Sequence, residues 1–145
     1  KTLEVLETQG VSVLSYKEKD FANFYCRSSG KGVDYVFDTP KQAAEVIKAK
    51  GDFGLSGGIL ISNPVPEEDA LSHEYIDGII DQAVKEAATQ GIKGKDVTPY
   101  LLKRIVELTG GNSLETNIHL VINNAALGAE IAKEYALLCK AQHSL

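Results

Sequence analysis

The chain has 145 residues, enough for one domain with a real core and too few for two comfortable ones. Hydrophobic residues at 43% and charged residues at 24% exclude the low-complexity, collagenous and disordered classes. Fifteen basic against twenty acidic residues give a net charge of −5, which excludes nucleic-acid binding through a basic surface but leaves room for a small phosphate ligand.

No window reaches the roughly 20 apolar residues of a membrane span, and Lys1-Thr2-Leu3-Glu4 lacks the layout of a signal peptide. Cys26 and Cys139 form no CxxC pair, so a reduced, intracellular protein is expected. The chain contains no Met and opens on Lys1. A processed chain, or a piece of a longer one, is therefore expected. The ending His143-Ser144-Leu145 falls short of a peroxisomal address.

In chain order, the segment to Gln9 reads as a short helix stopped by Gly10. Val11, Val13 and Leu14, with Ser12 and Ser15 interleaved, suggest a strand. Residues 17–32 read as a loop with an aromatic cluster at Phe21, Phe24 and Tyr25, and Val33–Phe37 as a second strand. Asp38-Thr39-Pro40 predicts a helix start, because Asp38 or Thr39 can cap and Pro40 suits the first helical position. Gly51 is expected to stop that helix. Gly57–Ser62 reads as a buried strand ended by Asn63-Pro64-Val65-Pro66. Ser72 is a cap for a helix through Gln90, Thr98-Pro99 starts another, and Gly110-Gly111 ends it. A last helix from Ser113 has no strong breaker before Ala141, with Gly128 as a weak point or a close helix contact. Strands separated by helices predict an α/β layered domain with some parallel pairing. Three strands make a small sheet, which points to strands outside this chain.

Chemistry has three candidate places. The turn Thr109-Gly110-Gly111-Asn112-Ser113 precedes a helix and offers backbone N–H groups to an anion, although ordinary capping is the commoner reason for such a turn. Asn117, Asn123 and Asn124 lie on the last helix; Asn117 and Asn124 are seven apart and share a face. A primary amide can read a base edge such as that of uracil, and it can equally bridge two helices. Asn63 follows a strand, where α/β sheets place ligands, or it simply ends a turn. His73, His119 and His143 have no metal-ligand spacing, and Glu67-Glu68-Asp69 suits a helix's first turn, so no metal ligands are expected here. Lys93 and Lys95 fall in a solvated turn, and Cys26 and Cys139 read as packed thiols.

Several blocks, taken in order, resemble one family. They are Glu7-Thr8-Gln9-Gly10-Val11; Phe24-Tyr25 through Ser28-Ser29-Gly30; Gly58-Ile59-Leu60-Ile61 through Asn63-Pro64-Val65-Pro66-Glu67-Glu68; Gly94-Lys95 with Val97-Thr98-Pro99; and Leu108-Thr109-Gly110-Gly111 through Ser113-Leu114, Asn117-Ile118 and Asn123-Asn124-Ala125. The chain is similar over its whole length to the C-terminal half of the pseudouridine-5′-phosphate glycosidases, which include the indigoidine-cluster A proteins. The resemblance implies a three-layer α/β/α sandwich with a mixed sheet, of which residues 1–145 are one half of a single domain. It implies reversible C–C cleavage of pseudouridine 5′-phosphate to uracil and ribose 5-phosphate, through a lysine Schiff base and a proton-transferring glutamate. It also implies manganese, a homotrimer, and a cytoplasmic or, in a eukaryote, organellar setting, with neither nucleic acid nor membrane as partner. The Schiff-base lysine, the glutamate and the metal ligands are expected upstream, so no catalytic residue is expected in this chain and Lys1 is not that lysine. Asn117 matches the family's active-site asparagine and is expected to hydrogen-bond the substrate at its uracil. Asn63, Asn124 and Thr8 sit in matching blocks as candidate pocket-lining residues without an assigned contact. The fragment alone is expected to be inactive. The alternative is a non-catalytic structural or oligomerisation module built on the last helix, with Ile118, Val121, Ile122, Ile131, Tyr135 and Leu138 as its apolar positions.

Overall fold

The computed structural model describes residues 2–142. Helix α1 spans Thr2–Thr8, strand β1 Ser12–Tyr16, strand β2 Tyr35–Phe37 and helix α2 Pro40–Asp52. Strand β3 spans Ile59–Ser62, helix α3 His73–Thr89, helix α4 Val97–Leu108 and helix α5 Asn112–Gln142. Single 3-10 turns at Glu67–Asp69 and Gly94–Asp96 precede α3 and α4. The readings at Lys1 and at His143-Ser144-Leu145 lie outside the described residues.

Local capping chemistry starts α2 and α3 where expected, whereas α4 starts at Val97, before the expected Thr98, with Asp96 at its cap position, and α5 starts at Asn112, before Ser113. Thr39 accepts from the Gln42 N–H while the Gln42 side chain accepts from the Thr39 N–H, a capping box with Pro40 in the first turn. The Ser72 hydroxyl accepts from the Tyr75 N–H and opens α3. Other boundaries also differ from expectation. Helix α2 runs through Gly51 to Asp52, because the left-handed residue that ends it is Gly54, at φ 66°. Strand β3 starts at Ile59 because Gly57 sits at φ 89°, outside strand conformations. Strand β2 starts at Tyr35 because the Val33 N–H donates to the Lys19 carbonyl instead of to a strand.

The sheet order is β2-β1-β3, with both pairings parallel. The α/β class stands as expected. The mixed character implied by the resemblance is absent from these three strands, because β2 reaches β3 through the α2 crossover and such a connection returns the chain in the same direction. One sheet face carries Leu14, Tyr16, Phe37, Ile59 and Ile61, packed on Ala43, Ala44 and Ile47 of α2 and Leu127, Ile131 and Leu138 of α5. A second cluster joins Tyr25 and Cys26 of the loop to Ile76 and Ala83 of α3 and Ile105 of α4. Arg104 clamps α3 to α4 through Glu86 at 2.5 Å and also pairs with Glu107. The guanidinium of Arg104, with help from Gln82, holds the Glu86 carboxyl below the usual carboxylate range.

On the other sheet face Val13, Ser15 and Ser62 are buried, and exposure is confined to the edge strand, where Val36 is 46% exposed. Along α5, Leu114, Ile118, Val121 and Ile122 are at least half exposed and form an apolar stripe opposite the packed residues Leu120, Leu127 and Ile131. The chain exposes 9343 Å², whereas a compact protein of this mass exposes roughly 7,200 Å². No helix among the described residues is long and apolar enough to cross a membrane.

Candidate functional site

Because all three strands are parallel, their C-terminal ends, Tyr16, Phe37 and Ser62, meet at one edge of the sheet. That edge is where open α/β sheets bind ligands. Just past β1, Lys17 takes φ 56°, a left-handed conformation that side chains disfavour, and its N–H donates to the Phe37 carbonyl. The chain then folds into a compact loop closed by pairing of Asp20 with Gly32. Ser15 and Ser62, side by side in the register, hold this loop down. The Ser15 hydroxyl donates to the Asp20 carbonyl at 3.2 Å, and the Ala22 N–H donates to the Ser62 hydroxyl at 2.8 Å. The Arg27 guanidinium reaches the Val65 carbonyl at 3.0 Å, the Ser28 hydroxyl donates to the Asp20 carboxylate, and His73 Nε2 bonds the Ser28 carbonyl. The serines, Asp20, Arg27 and His73 thus build the rim of the strand ends. Nothing local in the sequence marks them, since Ala22 and Ser62 are 40 positions apart.

Directly after β3, the buried Asn63 donates from Nδ2 to Asn124 Oδ1 at 3.0 Å, and Asn123 Nδ2 donates to the Pro64 carbonyl at 3.1 Å. These bonds tie the 63–64 turn to the middle of α5. Beside them lies a cavity of about 220 Å³ lined by Ile61, Asn63, Asn124, Leu127, Gly128 and Ile131. Gly128 leaves that space open: a Cβ there would meet nothing within 4 Å, so the glycine is neither a close helix contact nor a break in α5.

Asn117 is placed differently from the other two asparagines. It lies on the Asn124 face of α5, about 10 Å nearer the N-terminus at 1.5 Å per residue. It is half-buried, and among the described residues its amide has no protein partner. Asn123 and Asn124 do structural work, whereas the Asn117 amide is left to solvent or ligand. Thr8 is not brought to this edge. It ends α1 at the opposite end of β1, exposed, with its hydroxyl donating back to the Glu4 carbonyl at 2.7 Å.

The turn before α5 resolves to capping. The Thr109 and Ser113 hydroxyls, both buried, lie 2.9 Å apart, and the Ser113 N–H donates to Thr109 Oγ1 at 3.2 Å. Its donors are used internally, which leaves no anion cradle. Burial and the nearby Asp77 push the Cys26 thiol above its ordinary value, the opposite of what a nucleophile needs. No group of three or more His, Cys, Asp or Glu that could hold a metal occurs among the described residues. Among the described residues, this edge presents amide and hydroxyl groups on a hydrogen-bonded rim.

The family model for indigoidine synthase A-like proteins matches residues 1–134. The chain belongs to that family. It is 52% identical over 131 residues to a pseudouridine-5′-phosphate glycosidase of Alkaliphilus metalliredigens, covering 90% of this chain and 43% of that protein. It is 55% identical over 131 residues to one of Cupriavidus pinatubonensis, covering 90% of this chain and 42% of that protein. The chain thus spans under half the length of these curated relatives. Among solved structures, it resembles the prealnumycin C-glycosynthase AlnA in complex with ribulose 5-phosphate. That match has TM-score 0.88 and 27% identity, and covers 97% of this chain and 46% of that one. It also resembles an indigoidine synthase A-like protein of Thermotoga maritima, with TM-score 0.78 and 31% identity, over 90% of this chain and 43% of that one. The family assignment agrees with the resemblance read from the motifs.

Proposed function

We propose that this chain is the C-terminal half of a single-domain pseudouridine-5′-phosphate glycosidase and supplies the base-recognising side of its site. The observation that carries this reading is the half-buried Asn117 amide, without a protein partner, on the α5 face that Asn124 uses to reach the ligand edge of the sheet. The relatives' names support it.

The chemistry explains why an amide is needed there. A C–C bond to uracil has no heteroatom leaving group to protonate, so the usual two-carboxylate scheme does not serve. A lysine amine carried at C1 of the opened ribose forms a C=N bond as the C–C bond breaks. The bonding pair passes into the uracil ring, which takes a proton on carbon from a glutamate. Water then releases ribose 5-phosphate from the imine. While the pair resides on uracil, charge spreads to its carbonyl oxygen, and an N–H of Asn117 aimed there stabilises it. The lysine and glutamate belong to the part of the protein outside this chain.

Manganese belongs to the same reading, but the described residues do not form a site for it. Its ligands would come from outside this chain, and no step here passes through it. A cytoplasmic homotrimer completes the proposal. The exposed stripe Leu114, Ile118, Val121 and Ile122 is apolar surface for such an assembly, and it equally suits the alternative reading of a structural or oligomerisation module.

Reductive trapping tests the covalent step. With ribose 5-phosphate and borohydride, the full-length protein is expected to gain a ribose phosphate adduct on a lysine outside residues 1–145. Peptide mapping that finds the adduct on a lysine of this chain, or finds none, would contradict the proposal.

A further inference from the structure

Helix α5 is held unevenly along its length. Its C-terminal part packs through Leu127, Ile131 and Leu138 into the core cluster shared with α2 and the sheet. Asn117 lies N-terminal to that contact, in a stretch where Leu114, Ile118 and Val121 are at least half exposed. That cluster therefore does not fix how the stretch around Asn117 is rolled about the helix axis.

One residue outside the helix grips this stretch at two points. The Thr116 hydroxyl donates to the Asp69 carbonyl at 2.9 Å, and His119 Nδ1 bonds the Asp69 carboxylate at 2.5 Å. The two contacts stand on either side of Asn117 in the sequence. An ionised carboxylate only accepts, so the ring carries the proton on Nδ1, and the bond forms with the imidazole neutral or charged. Asp69 is itself well supported. It ends the 3-10 turn, its N–H donates to the Pro66 carbonyl at 3.1 Å, and Val65 just upstream is wholly buried with its carbonyl bonded by Arg27.

The helix geometry shows what this grip controls. At about 100° per residue, Asn117 and His119 lie about 160° apart, on opposite borders of the packed face that carries Leu120 and Leu127. A roll of about 10° would carry a side-chain end some 5–6 Å from the axis through about 1 Å. A displacement of that size can cost a reacting site about 100-fold.

We propose that the Asp69–His119 pair is a positioning contact, which sets the roll of α5 and so aims the Asn117 amide at the substrate. The proposal rests on the glycosidase reading and adds to it a residue that does not itself touch substrate.

The test is a double-mutant cycle in the full-length protein, read as kcat for uracil release from pseudouridine 5′-phosphate. His119→Ala is expected to lower kcat about tenfold, less than a full 1 Å displacement because the Thr116 bond remains. In an Asn117→Ala background the same change should move kcat by less than about twofold, since there is no amide left to aim. A merely structural role would give the same fall in both backgrounds. His119→Asn, whose Nδ2 stands where the ring carries Nδ1, is expected to restore most of the loss. Should His119→Ala fail to fold, His119→Leu keeps the side-chain volume without the donor and is read in the same way. An unchanged kcat, or an equal fall in both backgrounds, overturns the proposal while the glycosidase reading stands. A wild-type protein that releases no uracil overturns the glycosidase reading, and this proposal with it.

Discussion

Asn117→Ala in the full-length protein is expected to lower kcat/KM for pseudouridine 5′-phosphate about 100-fold, the scale of one donor removed from developing oxyanion charge. The fold should persist, because the Asn117 amide holds no protein partner among the described residues. Its neighbours behave differently. Asn124→Ala strips the partner from the buried Asn63 Nδ2, so its effect falls on stability as well as on the site. Kinetics and thermal melting together separate the two cases. Unchanged kinetics for Asn117→Ala would remove it from the site.

Ile76→Ala should cause the largest loss of stability. Ile76 is wholly buried at the junction of α3, α4 and the loop carrying Tyr25 and Cys26. Removing its side chain leaves a cavity and costs about 2–5 kcal/mol, which for a chain of the relatives' size lowers Tm by about 3–8 °C. Val84→Ala on the same helix is the control. Val84 is 46% exposed, and its truncation should cost under about 1 kcal/mol. Because the cluster supports the loop that forms the site's rim, Ile76→Ala should also lower activity at temperatures below the melt. Calorimetry and urea titration of both variants check the pair.

Features set within three or four residues could be read from the sequence. The caps at Thr39 and Ser72 and the proline at position 40 depend on neighbours along the chain, so the helix starts follow from residue order alone. Strand limits did not follow, because distant partners set them: Val33 is lost from β2 to the Lys19 carbonyl. The asparagines show the same divide at the site. Spacing put Asn117 and Asn124 on one face, but nothing local distinguishes the amide bonded to Asn63, 61 positions away, from the one left unpaired. The hydroxyls of Ser15 and Ser62 acquire meaning only once the sheet register brings the loop over the strand ends.

The proposed role of the chain is a division of labour, with recognition here and bond-making chemistry in the rest of the protein. Uracil release from pseudouridine 5′-phosphate, followed by chromatography for the full-length protein and for residues 1–145 side by side, tests this most directly. Turnover by the full-length protein and none by the 1–145 chain is the predicted result. Turnover by the 1–145 chain alone, or no uracil from the full-length protein, would contradict it.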